Sequence, residues 1–229
     1  MQTVIDLSRM RHNIRRFRAR TGNGFCAVVK SDAYGHGIAT ACYIEPLVDC
    51  FMVATADEAI ALLALTRKPV LVLGGDVAPY TRTYEPQIIP TVYDCAQLDG
   101  VLGAGYKRFS VEIDTGMHRL GADERRLAEI VAYCKERDLK PYSVYSHLYG
   151  GMSSATVQAS EFERLTVDPI LRGKRHLYCS CALDLNGFDL FDMTRCGIAM
   201  YGYHSGMDIC MKTRAKIVAL NYVSKGERV

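Results

Sequence analysis

The 229-residue chain has no tryptophan and only 7 prolines. No apolar stretch reaches the ~20 residues that a membrane-spanning helix needs, so no membrane segment is expected in this chain. A marked charge surplus is lacking too: 28 Lys+Arg stand against 25 Asp+Glu, a formal net charge of +3. With no basic run either, there is no electrostatic footprint for nucleic acid or an anionic membrane. The start, MQTVIDLSRMRHNIRRF, lacks the apolar core of a secretory signal, so a cytoplasmic protein is expected. Nine cysteines are scattered without any Cys-x-x-Cys spacing, which speaks against a zinc knuckle or a redox motif of that type. They read as buried free thiols of a reducing compartment. What is present is 49% hydrophobic and 23% charged residues with 19 glycines, a soluble globular composition. The length suits one large α/β domain or two small ones.

Short apolar runs alternate with amphipathic segments along most of the chain. Strands are expected at Cys26–Lys30, Cys50–Thr55, Val70–Gly74, Ile88–Val92, Lys107–Asp114, Tyr142–His147, His176–Ser180 and Asp192–Arg195. Leu7, Met10, Ile14 and Phe17 share one face of a helix that Asp6 can cap, and Leu127, Ile130, Val131 and Cys134 form a second stripe. Thr55 with Glu58, and Asp94 with Gln97, make capping boxes. Eight strands with intervening helices imply a (β/α)8 TIM-type barrel, with an open doubly wound sheet as the alternative. Past Gly206 the texture changes: Lys212–Val223 reads as a lone strand with no partner in sight.

The most informative run is Ala27-Val-Val-Lys30-Ser-Asp-Ala-Tyr34-Gly-His36-Gly37. A lysine at the C-terminal end of a barrel strand opens into the mouth, where apolar walls favour a nucleophilic amine able to form a Schiff base. Alone, Val-Val-Lys would be a snorkelling lysine; the residues that follow change the reading. This run resembles the pyridoxal-phosphate lysine motif of the alanine racemase family. Asp114-Thr-Gly-Met117-His-Arg119-Leu-Gly121 resembles the family's second signature, and Arg195-Cys-Gly197-Ile198-Ala-Met-Tyr201-Gly its third.

The resemblance implies a division of labour. Lys30 carries the cofactor and acts as one acid/base. Tyr34, Ser180, Gly197 and Ile198 hold its phosphate, and backbone amides after a strand suit that task. Arg195 faces the pyridine nitrogen without protonating it, supported by His147. Arg119 faces the phenolic oxygen and the substrate carboxylate, with Met117 beside it in the motif. Glu112 stands where many relatives have a carbamylated lysine, and is read as a built-in anion that holds Arg119. His36 and His118 receive no assigned role, and Tyr201 reads as core. Tyr178-Cys-Ser180 departs from the Ala-Asn-Ser frequent in relatives.

The implied activity is pyridoxal-phosphate-dependent racemisation of a small amino acid, alanine above all, for peptidoglycan supply. A racemase for serine or another small amino acid is the alternative, and a non-catalytic single-domain pyridoxal-phosphate-binding protein a further one. The implied organisation is a barrel at 1–206, with 207–229 starting a C-terminal β domain that is truncated here. In the family that domain supplies the second base, a tyrosine, across a homodimer. The barrel alone is therefore expected to be poorly active.

Overall fold

The computed structural model describes residues 1–74, 76, 84–184 and 191–227. Eight short parallel strands form one sheet: β2 (Gly24–Val28), β3 (Cys50–Val53), β4 (Val70–Val72), β5 (Ile88–Val92), β6 (Ser110–Glu112), β7 (Ser143–Tyr145), β8 (Lys174–His176) and β9 (Met193–Cys196). The first of these, β2, lies between β3 and the last, β9, and the order then runs unbroken from β3 to β8. Between β8 and β9 the seam is made by fewer bonds. The Asp192 amide donates to the Arg175 carbonyl (3.1 Å) and the Arg195 amide to the Tyr178 carbonyl (3.0 Å). The Asp192 carboxylate accepts the Arg175 amide (2.8 Å). These bonds close the sheet on itself, which makes it a barrel rather than an open doubly wound sheet.

Alternation along each strand sorts the core into two layers. On β2, Phe25 and Ala27 belong with the helices that surround the sheet. Cys26 and Val28 instead meet Cys50, Met52, Leu71, Ile89 and Met193 inside the barrel. Strands covered on both faces need apolar residues at successive positions, and this is why short unbroken runs mark them in the sequence. The interior is more polar at β6 and β7, where the Ser110 and Ser143 hydroxyls bond each other at 2.6 Å.

The helix Leu7–Thr21 starts where expected, the Asp6 carboxylate accepting the Ser8 and Arg9 amides at 3.1 Å each. It ends at Gly22, whose φ of 68° few other residues adopt readily. Its buried face carries Met10, Ile14 and Phe17, and also Asn13, which the apolar pattern omits. The Asn13 side-chain amide donates to the carbonyls of Met200 (3.2 Å) and Asp208 (2.8 Å), tying the chain after β9 to this helix.

Two expectations need correction. The strand expected at His176–Ser180 lies earlier, at Lys174–His176, because the chain bends into a 3-10 turn at Ser180–Leu183. The lone strand expected over Lys212–Val223 is shorter and has a partner. It is β10 (Met211–Arg214), antiparallel to β1 (Gln2–Ile5), with Ile5 opposite Met211. Beyond it Ile217, Val218, Leu220 and Tyr222 are exposed. No helix among the described residues is long and apolar enough to cross a membrane.

Candidate active site

A cavity of about 430 Å³ opens at the C-terminal ends of the barrel strands. Its wall includes Lys30, Tyr34, Glu112, Arg119, His147, Ser180, Arg195, Gly197 and Ile198. The period of two explains this convergence: Cys26, Val28 and Lys30 follow one another on the inward side of β2, as do Met193, Arg195 and Gly197 along β9. Ser143, Tyr145 and His147 do the same along β7. Of the residues given a part in the site from the sequence, Met117 alone is not in the wall; it is half-buried in the loop after β6.

Directly after Lys30 the backbone turns the wrong way for L-residues. Ser31, Asp32, Ala33 and Tyr34 have φ of 54°, 52°, 54° and 53°. Left-handed geometry costs about 1–2 kcal/mol per non-glycine residue, so four in succession require external support. Glu58 supplies part of it, its carboxylate accepting the Ser31 amide at 2.6 Å and the Ala54 amide at 2.7 Å. The expected Thr55/Glu58 capping box is therefore half realised. Thr55 does accept the Glu58 amide (3.2 Å), but the carboxylate clamps the turn to the end of β3. Asp32 adds a bond from the Ile38 amide (2.6 Å).

The turn carries the Tyr34 ring over Gly197. A Cβ added at Gly197 would lie 2.9 Å from the Tyr34 hydroxyl, so any larger residue there would have to push the phenol aside. Neither the Gly197 nor the Ile198 amide donates to another described residue. The Ser180 hydroxyl accepts the Ala199 amide at 3.1 Å and lies at the cavity wall. Two free amides, a serine hydroxyl and a phenol thus share one end of the cavity, a set of donors suited to a phosphate.

At the other end lies Arg195, 3% exposed. Its Nη1 donates to Nδ1 and the carbonyl of His176 (2.7 and 3.0 Å). Its Nη2 donates to the carbonyls of Ser146 (2.7 Å) and Leu177 (3.0 Å) and to Nδ1 of His147 (3.3 Å). Nε–H has no partner among the described residues. Both histidines accept through Nδ1 and so are neutral with the proton on Nε2. Burial, and then the charges of Arg195, Arg119 and Lys30, push His147 down to about 3. Burial and Arg195 likewise hold His176 well below the ordinary histidine value. No sequence motif marks His176, although it makes the shorter of the two histidine contacts. It stacks at 4.8 Å on Tyr145, whose hydroxyl donates to Glu112 (3.3 Å).

Glu112 is buried, as a barrel-strand residue should be, and burial raises its proton affinity against the pull of Arg195, Tyr145 and Arg119. The expected ion pair with Arg119 is not formed. Among the described residues Arg119 makes no hydrogen bond and no ion pair within 4.0 Å, and it is exposed at the rim. The loop after β6 explains this. Gly116 and Gly121 adopt φ of 126° and 112°, and Asp114 anchors the loop by accepting the Gly116 and His118 amides (2.9 and 3.0 Å). His118 pairs with Asp114 outside the cavity wall, and Tyr201 is fully buried, as read. His36 is buried against the Tyr201 ring at 4.5 Å. Cys179, Cys181, Asp184 and His204 also line the cavity; of these only Cys179 is marked in the sequence, as part of the departure at Tyr178-Cys-Ser180.

Comparison with known proteins gives the same frame. Residues 5–205 match the family described as alanine racemase, N-terminal domain. The chain is 33% identical to the alanine racemase of Marinobacter nauticus, over 98% of this chain and 68% of that enzyme. It is 29% identical to that of Nitrosococcus oceani, over 100% of this chain and 69% of the enzyme. Among solved structures, alanine racemase from a D-cycloserine-producing Streptomyces lavendulae superposes with a TM-score of 0.78 at 28% identity, covering 91% of this chain and 63% of that one. Alanine racemase from Bartonella henselae, with covalently bound pyridoxal phosphate, gives a TM-score of 0.78 at 24% identity, covering 91% and 67%. This chain thus spans about two thirds of the length of these relatives. It belongs to the alanine racemase family, and its barrel corresponds to that family's N-terminal domain.

Proposed function

We propose that this chain is the pyridoxal-phosphate-binding barrel of a racemase that interconverts L- and D-alanine, acting in the cytoplasm as a homodimer that supplies peptidoglycan synthesis. The observation that carries the reading is the meeting of Lys30, Tyr34, Ser180, Arg195, Gly197 and Ile198 around one cavity. The residues present fit the cofactor's chemistry. Free amides and hydroxyls stand at one end for a phosphate, and one unpartnered guanidinium N–H stands at the other for a ring nitrogen. An amine lies in the same wall for an aldehyde.

When bound, the cofactor supplies an electron-withdrawing ring that acidifies the substrate's Cα–H. Lys30 would hold the cofactor's aldehyde, and its Nζ would take or return the substrate's Cα proton on one face. Arg195, a donor with no acceptor capacity, would offer its free Nε–H to the ring nitrogen. His147 and His176 fix that orientation from behind. Arg119, at the rim, orients the substrate carboxylate. Glu112 lies within the electrostatic reach of Arg195 and Arg119, without the direct pairing to Arg119 expected from the sequence. Residues 207–229 lead towards a C-terminal β domain, a reading that the exposed Ile217, Val218, Leu220 and Tyr222 support.

Two measurements test this. Loading with pyridoxal phosphate should give a visible absorbance band that Lys30→Ala abolishes; an unchanged band in that variant refutes the assignment. In D2O the purified chain should exchange the Cα proton of one enantiomer of alanine much faster than the other, since Lys30 serves one face. Rapid turnover of both enantiomers would refute the one-base reading.

A further inference from the structure

The Sγ atoms of Cys179 and Cys181 lie 3.3 Å apart, within hydrogen-bonding distance, and both residues belong to the cavity wall. The residue between them is Ser180, whose hydroxyl accepts the Ala199 amide. We propose that Cys179 and Cys181 are an oxidisable dithiol, a modification site for hydroperoxides, that closes to a disulfide across Ser180.

Both thiols are half-buried but reach the cavity, so a small oxidant has access to them. A tetrahedral zinc ion would hold two thiolates roughly 3.8 Å apart and needs further ligands. The sulfurs are closer than that, and no group of three His, Cys, Asp or Glu able to hold a metal occurs among the described residues. Cys179 is the nucleophile. Donation from Cys181, aided by the Arg195 charge and opposed by burial, brings it down to about 6, while Cys181 is raised. A thiolate at neutral pH is the reactive form. It attacks one peroxide oxygen; the S–O bond forms, the O–O bond breaks, and hydroxide leaves. The Cys181 thiol then attacks that sulfur; the S–S bond forms, the S–O bond breaks, and the departing hydroxide takes the Cys181 proton as water. Two thiols and one hydrogen peroxide give one disulfide and two waters, the sulfurs losing the two electrons that the peroxide gains.

The wild-type chain suffices for the test. Trypsin releases His176–Arg195, which contains Cys179 and Cys181 and no other cysteine. After brief exposure to dilute hydrogen peroxide and alkylation, that peptide should be about 2 Da lighter than its unalkylated reduced form, and a thiol reductant should reverse the change. Full alkylation of both cysteines under conditions that oxidise the exposed Cys42 would overturn the proposal, as would direct passage to sulfinic acid. In Cys181→Ser, dimedone should trap a sulfenic acid on Cys179; a Cys179 that stays unlabelled there, while Cys181 is labelled in Cys179→Ser, would overturn the order of attack. One consequence rests on the phosphate reading of the cavity. Tying residues 179 and 181 displaces Ser180, so the oxidised protein should bind pyridoxal phosphate roughly tenfold more weakly, the effect of one hydrogen bond to a charged group. Unchanged affinity would overturn the link to Ser180, while the lighter peptide would still establish the dithiol.

Discussion

One missing methyl group at position 197 governs an entire end of the cavity. Because a Cβ there would meet the Tyr34 hydroxyl at 2.9 Å, Gly197→Ala should push the phenol aside and weaken pyridoxal-phosphate binding about tenfold. Combining it with Tyr34→Phe should cost little more than Tyr34→Phe alone, since the nearest clashing atom is gone and only the ring carbon at 3.3 Å remains. Fluorescence titration of the three variants checks this, and strict additivity would refute it. The buried histidines make a second prediction at this scale. With His147 at about 3 and His176 also lowered, the folded barrel keeps both neutral, while the unfolded chain takes up protons below about 6.5. The unfolded state then binds more protons, so stability falls as pH drops from 6.5 towards 3. Glu112, with its raised proton affinity, works the opposite way, losing stability as pH rises past the ordinary glutamate value. Urea midpoints measured from pH 7 to 4 should fall for the native sequence and fall less steeply for His147→Gln.

The left-handed turn is the element whose energetics stand out. Ser31 is exposed at φ 54°, so Ser31→Gly should relieve strain that outweighs the entropy glycine adds to the unfolded chain. A gain of about 0.5–1 kcal/mol, or roughly 1–4 °C in Tm, is expected by calorimetry. Glu58→Ala should do the reverse, by about 1–3 kcal/mol, since it strips two amides of their acceptor. None of this is visible in periodicity. The central strands β2 to β5 are legible because burial on both faces leaves unbroken apolar runs. The pair β1 and β10 is not, because four residues a side, three of them exposed, carry too little pattern. Among the site residues, the three motifs locate Lys30, Arg119 and Arg195 directly. His176 is harder, since its partner lies 19 positions on and a single histidine has no spacing of its own. The signal that could have found it is its place at the inward-facing end of β8. Cys179 and Cys181 carried a signal too, as alternate positions after a strand fall on one side of the chain. What spacing could not give is the Glu112–Arg119 geometry, which depends on how two glycines aim a loop.

At the scale of the molecule, the seam between β8 and β9 is the least bonded part of the ring. Asp192→Ala removes the acceptor of the Arg175 amide and should destabilise the protein by about 1–2 kcal/mol. Because β9 leads directly into Arg195 and Gly197, the same variant should release pyridoxal phosphate faster; a loss of stability with unchanged release would show that the seam and the site are independent. The neighbouring junction has a further consequence. Since β2 sits against β9, Lys30 and Arg195 are carried by neighbouring strands of the ring although they lie far apart along the chain. A chain still emerging from the ribosome exposes its reactive amine long before anything exists to shelter it. Competence for the cofactor must therefore arrive late and all at once, and premature termination anywhere ahead of β9 leaves a polypeptide with no partial grip to salvage.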